Sequence, residues 1–288
     1  MANLKDIRNR INSVSSTMQI TNAMKMVSAA KLNRAQEAIT AMRPYSDKLT
    51  ELLQTLSTAS EGEQSEFALD REVQNVLIVP ISSNRGLAGA FNSNIVKEVQ
   101  RVAETEVAGK NVDLLVIGKK AGDVLKRSLN IVETHTDILD HVNFENVSEI
   151  AEQLMDDFLN RKYDKIIFVY NRFINAATQQ VMTEQFLPIV QKEQIEEEQQ
   201  NEIDFIYEPN RQQIIDELIP KSLKMQLFKA LRDSVAAEHG ARMTAMHKAT
   251  DNATELRAEL TLSYNKARQA AITNEILEIV GGAEALNA

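Results

Sequence analysis

A glycine-containing loop, PISSNRGLAGAFNSN (Pro80–Asn94), follows the first predicted strand and precedes a predicted helix. A phosphate-binding loop would lie at this place in an α/β fold, because backbone N–H groups at a helix start bind anions. The loop contains Gly86 and Gly89, but neither G-x-G-x-x-G nor a following G-K-[ST]. The next predicted strand ends in Gly118-Lys119 instead of an acid that could bind a ribose. We therefore predict no nucleotide or other cofactor site here.

The same loop is typical of a tight turn between a strand and a helix. We expect Asn92 or Ser93 to cap the helix, since short polar side chains accept hydrogen bonds from the first helical N–H groups. Arg85 lies on this turn and is a candidate contact residue.

Residues that could bind a metal or act as nucleophiles are few and badly spaced. The four histidines, His135, His141, His239 and His247, show no metal-ligand spacing, and the chain has no cysteine. No Ser/His/Asp set and no isolated pair of acids stands out. We predict no metal site and no catalytic residue, and therefore a mechanical or binding role.

The composition indicates a globular protein: 288 residues, 43% hydrophobic and 25% charged. A net charge of -9 argues against bulk binding of nucleic acid. No apolar run reaches the roughly 18 residues of a membrane span, so we expect no direct insertion into a membrane. The first residues, MANLKDIRNR, lack an apolar signal core, so we expect the protein to stay in the compartment where it is made.

Charge is distributed unevenly along the chain. Residues 58–220 carry 15 basic and 29 acidic residues, whereas Ile7–Gln36 carries five basic residues and no acid. Such a basic segment is either a solvated helix face or a surface that meets an acidic protein partner.

Both ends of the chain predict long helices. Residues 1–60 contain no glycine and one proline, Pro44, which could kink the first helix. Residues 221–280 contain one glycine, Gly240, and no proline, so a second helix is expected to start after Pro220. On this helix the apolar seam turns to alanine at Ala237, Ala241, Ala245 and Ala249. Small seam residues let two backbones approach, which predicts an antiparallel coiled coil made from the two ends.

The middle of the chain predicts an α/β domain with a mainly parallel, Rossmann-like sheet, because strands alternate with helices. The expected strands are Val73–Ile81, Val112–Gly118, Lys165–Phe173 and Thr178–Ile189, with a short strand in Asn130–Ile138 and an edge strand in Ile203–Pro209. The strand Thr178–Ile189 is expected to pair with Lys165–Phe173. The expected helices are Asn94–Val107, Lys119–Leu129 and Val147–Arg161. Exposed linkers are expected around Ser60–Ser65 and Gln191–Glu202. The resulting domains are 1–57, 58–220 and 221–288.

The first helix keeps a coiled-coil repeat that falters once. The frame asks for apolar residues at positions 21, 25 and 28, and the chain has Thr21, Lys25 and Ser28. Shifting the frame by one residue places Ile20, Met24 and Val27 on one stripe, about 100° round the helix from the seam. We interpret this as a contact face that turns away from the partner helix. The alternative is a local stutter in the coil without an outside contact.

The end of the second helix predicts a partner from another chain. If Pro44 and Pro220 mark the same end of the coil, about 40 residues pair over ~60 Å, and about 20 further residues follow before Gly281 and Gly282 stop the helix. This end is apolar on more than one side, with Ile272, Ile276, Leu277, Ile279 and Val280. Another protein should enclose it, unless it folds back onto the α/β domain.

Two terminal segments resemble a known family. They are LKDIRNRINSVSSTMQITNAMKMVSAAKLNRAQ (Leu4–Gln36) and RMTAMHKATDNATELRAELTLSYNKARQAAITNEILEIVGGAEAL (Arg242–Leu286). They are similar to the signature ends of the gamma subunits of bacterial F-type ATP synthases, and SSNRGLAGAFN resembles the central loop of that family. Two loop positions depart from the family pattern: Asn84 stands where an acid is usual, and Ala88 where cysteine is frequent. The cysteine-bearing insert of the chloroplast proteins is absent, so thiol control is not implied.

The resemblance implies a central rotor shaft. The coil would stand inside a ring of alpha and beta subunits, and the α/β domain would form a foot with the epsilon subunit and the membrane c-ring. Proton flow would turn the shaft and drive ATP synthesis at beta, with the reverse in hydrolysis and a regulatory role. The chain itself would be non-catalytic and would lie at the cytoplasmic face of the bacterial cell membrane as a peripheral part of the complex.

The resemblance also implies contact residues. The face formed by Ile20, Met24, Lys25 and Val27 would meet an acidic lever segment of beta. Candidates near the upper bearing are Arg268, Gln269, Thr273 and Glu275, with Ile276 and Ile279 as further contact candidates; Arg242, Asp251 and Asn252 lie in the matched RMTAMHKATDN run.

Two other functions remain open on sequence alone. One is a stand-alone α/β binding or adaptor module with a coiled-coil arm, which predicts a monomer or dimer with the helix end folded in. The other is a nucleotide-dependent enzyme on the α/β sheet, which predicts saturable nucleotide binding by the isolated chain.

Overall fold

The computed structural model describes residues 4–58, 66–69, 71–189 and 211–287. These residues form two compact units: one combines the chain up to Ala29 with the chain from Arg242, and the other is Ala30–Ala241. The predicted edge strand in Ile203–Pro209 and both predicted linkers lie outside the described residues.

Two long helices form the ends of the chain, as predicted. Helix α1 spans Leu4–Thr58 and contains Pro44. Helix α5 spans Arg211–Asn287 and contains Pro220. Two predicted boundaries of α5 are therefore wrong. The helix begins before Pro220, and it continues through Gly281 and Gly282, since glycine weakens a helix by only about 1 kcal/mol and need not end it.

Between these helices lies a five-stranded sheet of order β3-β2-β1-β4-β5. The strands are β1 Asn75–Pro80, β2 Asn111–Ile117, β3 Asn130–His135, β4 Lys165–Phe173 and β5 Gln179–Leu187. The shorter helices are α2 Phe91–Arg101, continued by a π-helix at Val102–Glu106, α3 Lys119–Leu125 and α4 Phe144–Leu159. The first four strands are parallel and β5 is antiparallel to β4, which confirms the mainly parallel sheet.

Helices cover both faces of the sheet. Side chains such as Ile78 and Val116 face α2 and α3, and alternate residues such as Leu77 and Phe168 face α4 and the Leu223–Leu231 part of α5. The continuous apolar runs of β1 and β4 follow from this double burial.

Helix α2 starts earlier than predicted and lacks the predicted cap. It begins at Phe91, and its N-cap residue Ala90 makes no side-chain cap hydrogen bond. Asn92 Oδ1 instead accepts the backbone N–H of Ser83 at 3.0 Å, and Ser93 Oγ donates to Ala90 O. Both polar side chains therefore stabilise the turn and do not cap the helix.

In the first unit, α1 pairs with α5 in antiparallel orientation through the segment where the repeat falters. The hydroxyls of Thr21 and Thr250 lie 2.9 Å apart, and Thr254 Oγ1 lies 3.4 Å from Met18 Sδ. Thr21 and Ser28 are both buried. The exposed side chains Ile20 and Val27 agree with the predicted apolar face that turns away from the partner helix, but the seam itself is not interrupted. The seam continues, because Thr21 and Ser28 are small and their hydroxyls bond to carbonyls of their own helix.

A close approach between strands requires glycine at position 118. Gly118 has φ +90°, and a Cβ atom there would lie 2.1 Å from the carbonyl oxygen of Ser82. That serine is buried, and its Oγ accepts the N–H of Ala121 at the start of α3. Gly118 therefore allows the end of β2 to approach the chain directly after β1.

We predict that Gly118→Ala lowers the free energy of unfolding by about 3 kcal/mol, because both the backbone conformation and the space exclude a side chain. Urea unfolding of the full chain, followed by tyrosine fluorescence, measures this loss. Gly122→Ala in α3 is the control: its nearest neighbour would be at 3.5 Å, so its stability should stay within about 1 kcal/mol of the parent. Equal losses in both variants would contradict the interpretation.

One acid of α5 is buried beside the sheet. The carboxylate of Asp233 is buried, and loss of solvation raises its pKa, although Lys229, Arg172 and Arg43 act in the opposite direction and Glu184 adds to the rise. Because the folded state holds this proton more tightly than the unfolded state, the acid favours folding at low pH. That contribution is lost as the pH rises through the raised pKa.

We expect Asp233→Asn to raise the melting temperature of the full chain at pH 7, since the amide removes a buried charge. The gain should shrink as the pH falls through the raised pKa of Asp233, where the wild-type acid takes up its proton. Calorimetry across that pH range tests this. Asp140→Asn, an exposed acid in the same unit, should show no such trend. A gain that does not change with pH would argue against the burial effect.

Candidate functional site

No group of metal-ligating side chains occurs within the described ranges, and none of the helices described there is long and apolar enough to cross a membrane. The features that remain as candidates are surfaces of the two long helices and the loop after β1.

The predicted face on α1 is exposed and apolar in part. Ile20 is 60% exposed and Val27 57% exposed, whereas Met24 and Lys25 are half-buried. Met26, which the shifted repeat did not single out, is also exposed. An exposed apolar patch beside a lysine is suited to a shallow contact with an acidic and apolar partner surface.

The end of α5 forms a second exposed surface, which we name the apex segment (Arg268–Ala283). Every residue of this segment is exposed, including the candidates Arg268, Gln269, Thr273, Glu275, Ile276 and Ile279. The pairing of Thr21 with Thr250, extended to the start of α1, brings Leu4 level with residues near Ala267. The described part of α1 is therefore too short to cover the apex segment.

The apolar residues of the apex segment are large and solvent-accessible. Exposed large side chains are Ile272, Ile276, Leu277, Ile279 and Val280, and Leu277 is 63% exposed. A Cβ atom added at Gly281 or Gly282 would have no other atom within 4 Å, which agrees with an open surface.

The remaining α5 candidates differ in accessibility. Arg242 is buried, with 8% of its surface exposed, whereas Asp251 and Asn252 are exposed. Asp251 Oδ2 lies 3.4 Å from Nδ1 of His247 on the same helix. Arg242 thus belongs to the interior of the protein, and the other two residues lie on its surface.

The loop after β1 holds Arg85 in an exposed position on a turn fixed by polar side chains. Ser83 Oγ donates to the carbonyl oxygen of Arg85 at 2.6 Å, and Asn92 Nδ2 donates to Ser83 Oγ at 2.8 Å. Asn84 Nδ2 donates to the carbonyl oxygen of Thr136 at 2.8 Å. An aspartate at position 84 could not donate this bond, so the amide of Asn84 ties the loop to the end of β3.

The crevice at the carboxyl ends of β1 and β4 is filled by the chain itself. In doubly wound sheets ligands bind where the strand order reverses, and here that point lies between β1 and β4. Ala88, Phe91, Ala237 and Ala241 form a buried apolar cluster there, with Phe173 packed against it. The position that would hold a nucleotide is occupied by α5 and the start of α2.

The same finding corrects the predicted alanine seam. Ala237 and Ala241 were expected to face α1, yet they pack against Ala88 and Phe91 of the α/β domain. Small residues allow close approach to any neighbour, so their spacing alone did not distinguish a helix partner from a sheet edge. The signal that could have done so is Gly240, the single glycine in residues 221–280.

Beside this crevice, a hydrogen-bonded chain joins α5 to the two antiparallel strands. Tyr170 donates to Glu184 Oε2 at 2.8 Å, and Gln226 Nε2 donates to Glu184 Oε1 at 2.8 Å. Burial raises the pKa of the Tyr170 hydroxyl, and the charge of Glu184 raises it further. The phenol therefore keeps its proton and serves as a structural donor.

Comparisons with known proteins cover the whole length of the chain. The family model described as ATP synthase matches residues 3–286. An ATP synthase gamma chain from Christiangramia forsetii is 65% identical over 288 residues, covering all of both chains.

Solved structures show the same fold. A chain of the Euglena gracilis mitochondrial ATP synthase has a TM-score of 0.72 at 23% identity and covers 98% of this chain and 94% of its own. A chain from the central stalk and c-ring structure of the Tetrahymena thermophila enzyme has a TM-score of 0.58 at 25% identity, covering 80% and 99%. The match to the family model and the similarity to a relative over its full length show that this chain belongs to the ATP synthase gamma chain family.

Proposed function

We propose that this chain is the central rotor shaft of an F-type ATP synthase. It couples proton flow through the membrane sector to ATP synthesis at the beta subunits, works in reverse during hydrolysis, and takes part in regulation. The observation that carries the proposal is the apex segment, a helix end with large apolar side chains on more than one side that no described part of the chain covers. A contiguous exposed apolar surface of this kind is typical of a site where another protein binds.

In this proposal the three parts of the chain have different roles. Residues 1–57 and 221–288 form the shaft inside the ring of alpha and beta subunits. Residues 58–220 form the foot, which contacts the epsilon subunit and the c-ring at the cytoplasmic face of the bacterial cell membrane. The chain is non-catalytic, and the filled crevice between β1 and β4 supports this, because α5 and Phe91 leave no room for a nucleotide.

Two groups of residues meet the catalytic ring. Ile20, Met24, Lys25 and Val27 meet an acidic lever segment of beta, and the neighbouring exposed Met26 extends that face. In the apex segment, polar contacts that can break and re-form with the upper bearing are made by Arg268, Gln269, Thr273 and Glu275. The residues Ile276 and Ile279 supply apolar contact area. Arg85 contacts a partner of the foot.

Purification at native abundance tests the proposal. A tagged chain should bring down two ATPase-type chains, with three copies of each for one copy of this chain. Recovery of the chain alone as a monomer or dimer would favour the adaptor module. Saturable nucleotide binding by the isolated chain would favour the enzyme.

We predict that Lys25→Glu slows ATP synthesis in reconstituted vesicles by at least about twofold at equal assembly, because like charges then face each other across the contact with beta. The synthesis rate of Lys25→Met should lie between those of Lys25→Glu and the parent, since this change removes the charge without reversing it. Lys97→Glu, the same change at an exposed site of α2, serves as control and should match the parent. Equal synthesis rates for Lys25→Glu and the parent would refute the assigned contact.

A further inference from the structure

Helix α5 is packed unusually closely against the carboxyl end of the sheet. A Cβ atom at Gly240 would lie 3.3 Å from Ala176 Cα, 3.4 Å from the carbonyl oxygen of Ala176 and 3.4 Å from Phe173 Cε2. These atoms belong to the end of β4 and the turn that leads to β5. The helix backbone therefore contacts the backbone of the hairpin with no side chain of its own between them.

Further contacts on the same side of α5 fix its position in the crevice. Ala237 is fully buried in the cluster with Ala88 and Phe91. Ser234 Oγ donates to the carbonyl oxygen of Ile81 at 3.4 Å, at the end of β1. Next to this contact, and without α5, Asn171 Nδ2 of β4 donates to the carbonyl oxygen of Phe91 at 3.4 Å and joins β4 to the start of α2. Both hydrogen bonds are long, so the close apolar packing supplies most of the rigidity.

Helix α1 packs against a different part of α5. Its buried side chains Met42 and Leu49 cluster with Met225 of α5. The buried cluster on the α4 face of the sheet and the cluster in the crevice contain residues of α5, and the described residues of these two clusters include none from α1. The α/β domain is thus joined to the helix pair through α5.

We propose that the contact of Ser234, Ala237, Gly240 and Ala241 with the ends of β1 and β4 is the rigid joint through which torque passes between the α/β domain and the shaft. The inference rests on the proposed rotor function and specifies its load path: from the domain to α5, and from α5 to α1 through the seam. Short side chains suit this task because flexible side chains would yield under load before they transmitted it.

A disulfide tests whether the joint stays closed during rotation. The chain has no cysteine, so Ala176→Cys combined with Gly240→Cys introduces the only thiols of this subunit. The spacing of these positions is compatible with a disulfide, whose Cα atoms lie about 4.4–6.8 Å apart. In the complete synthase in vesicles, oxidation should leave ATP-driven proton pumping unchanged. Inhibition by oxidation that a reductant reverses would show that the joint must open, and would overturn the proposal.

A second variant tests whether the joint carries load. Phe173→Ala removes the ring beside Gly240 and should slow ATP-driven pumping of the membrane-bound synthase by about threefold, the size expected for a change in mechanical coupling. The ATPase rate of the detached catalytic ring with this chain should not change, because no load crosses the joint without the membrane sector. Val132→Ala, which truncates an exposed side chain on the edge strand β3 of the same domain, is the control and should leave both rates unchanged.

The remaining outcomes separate the joint from the rotor function. Oxidation of the cysteine pair in the Phe173→Ala background should restore pumping, and a failure to restore it would count against the joint. Equal rates for Phe173→Ala and the parent, or equal losses in bound and detached complexes, would overturn the proposal. If Phe173→Ala does not assemble, Phe173→Leu gives the same comparison. Absence of pumping in the parent complex would instead refute the rotor function.

Discussion

Helix α5 buries two sides at once, and the rest of the structure depends on that double packing. On one side, Leu223, Leu227 and Leu231 complete the core of the α/β domain. On another, Met225 packs against Met42 and Leu49 of α1. A helix with apolar residues on both sides cannot expose either one to water without a large cost in hydrophobic free energy. The sheet and the helix pair are therefore held to one common element.

The seam between α1 and α5 is built from small as well as apolar residues. Thr21 and Ser28 occupy positions that a simple coiled coil would give to leucine or isoleucine, and both are buried. Their hydroxyls are satisfied by the carbonyls of Met18 and Met24 on the same helix, so burial leaves no unpaired donor. Small seam residues bring the two backbones closer, while the large side chains of this segment, such as Ile20 and Val27, are left on the outside.

Two features support the proposed function: no described residue covers the apex segment, and the crevice between β1 and β4 is filled by the chain itself. The apex segment exposes side chains that a free protein would bury, which is typical of a surface enclosed by other subunits. The crevice that binds ligands in related folds is instead closed by Phe91 and Ala237. The sheet is thus packed against α5 where sheets of this type bind ligands, and its fold alone does not indicate its function.

The sequence by itself determined the strands, the two long helices, the exposed apolar end of α5 and the absence of a phosphate loop. Each of these depends on local periodicity or on a short motif, as in the continuous apolar run of Val76–Val79, and periodicity reports the secondary structure directly. Only the tertiary structure decided which element each helix face contacts. Alanines at helical spacing can pack equally well against α1 or against the sheet. Thr21 interrupts the apolar repeat in the sequence, but the structure places Thr250 opposite it in the seam. Spacing defines a face of a helix, but the partner of that face depends on contacts between residues far apart in the chain.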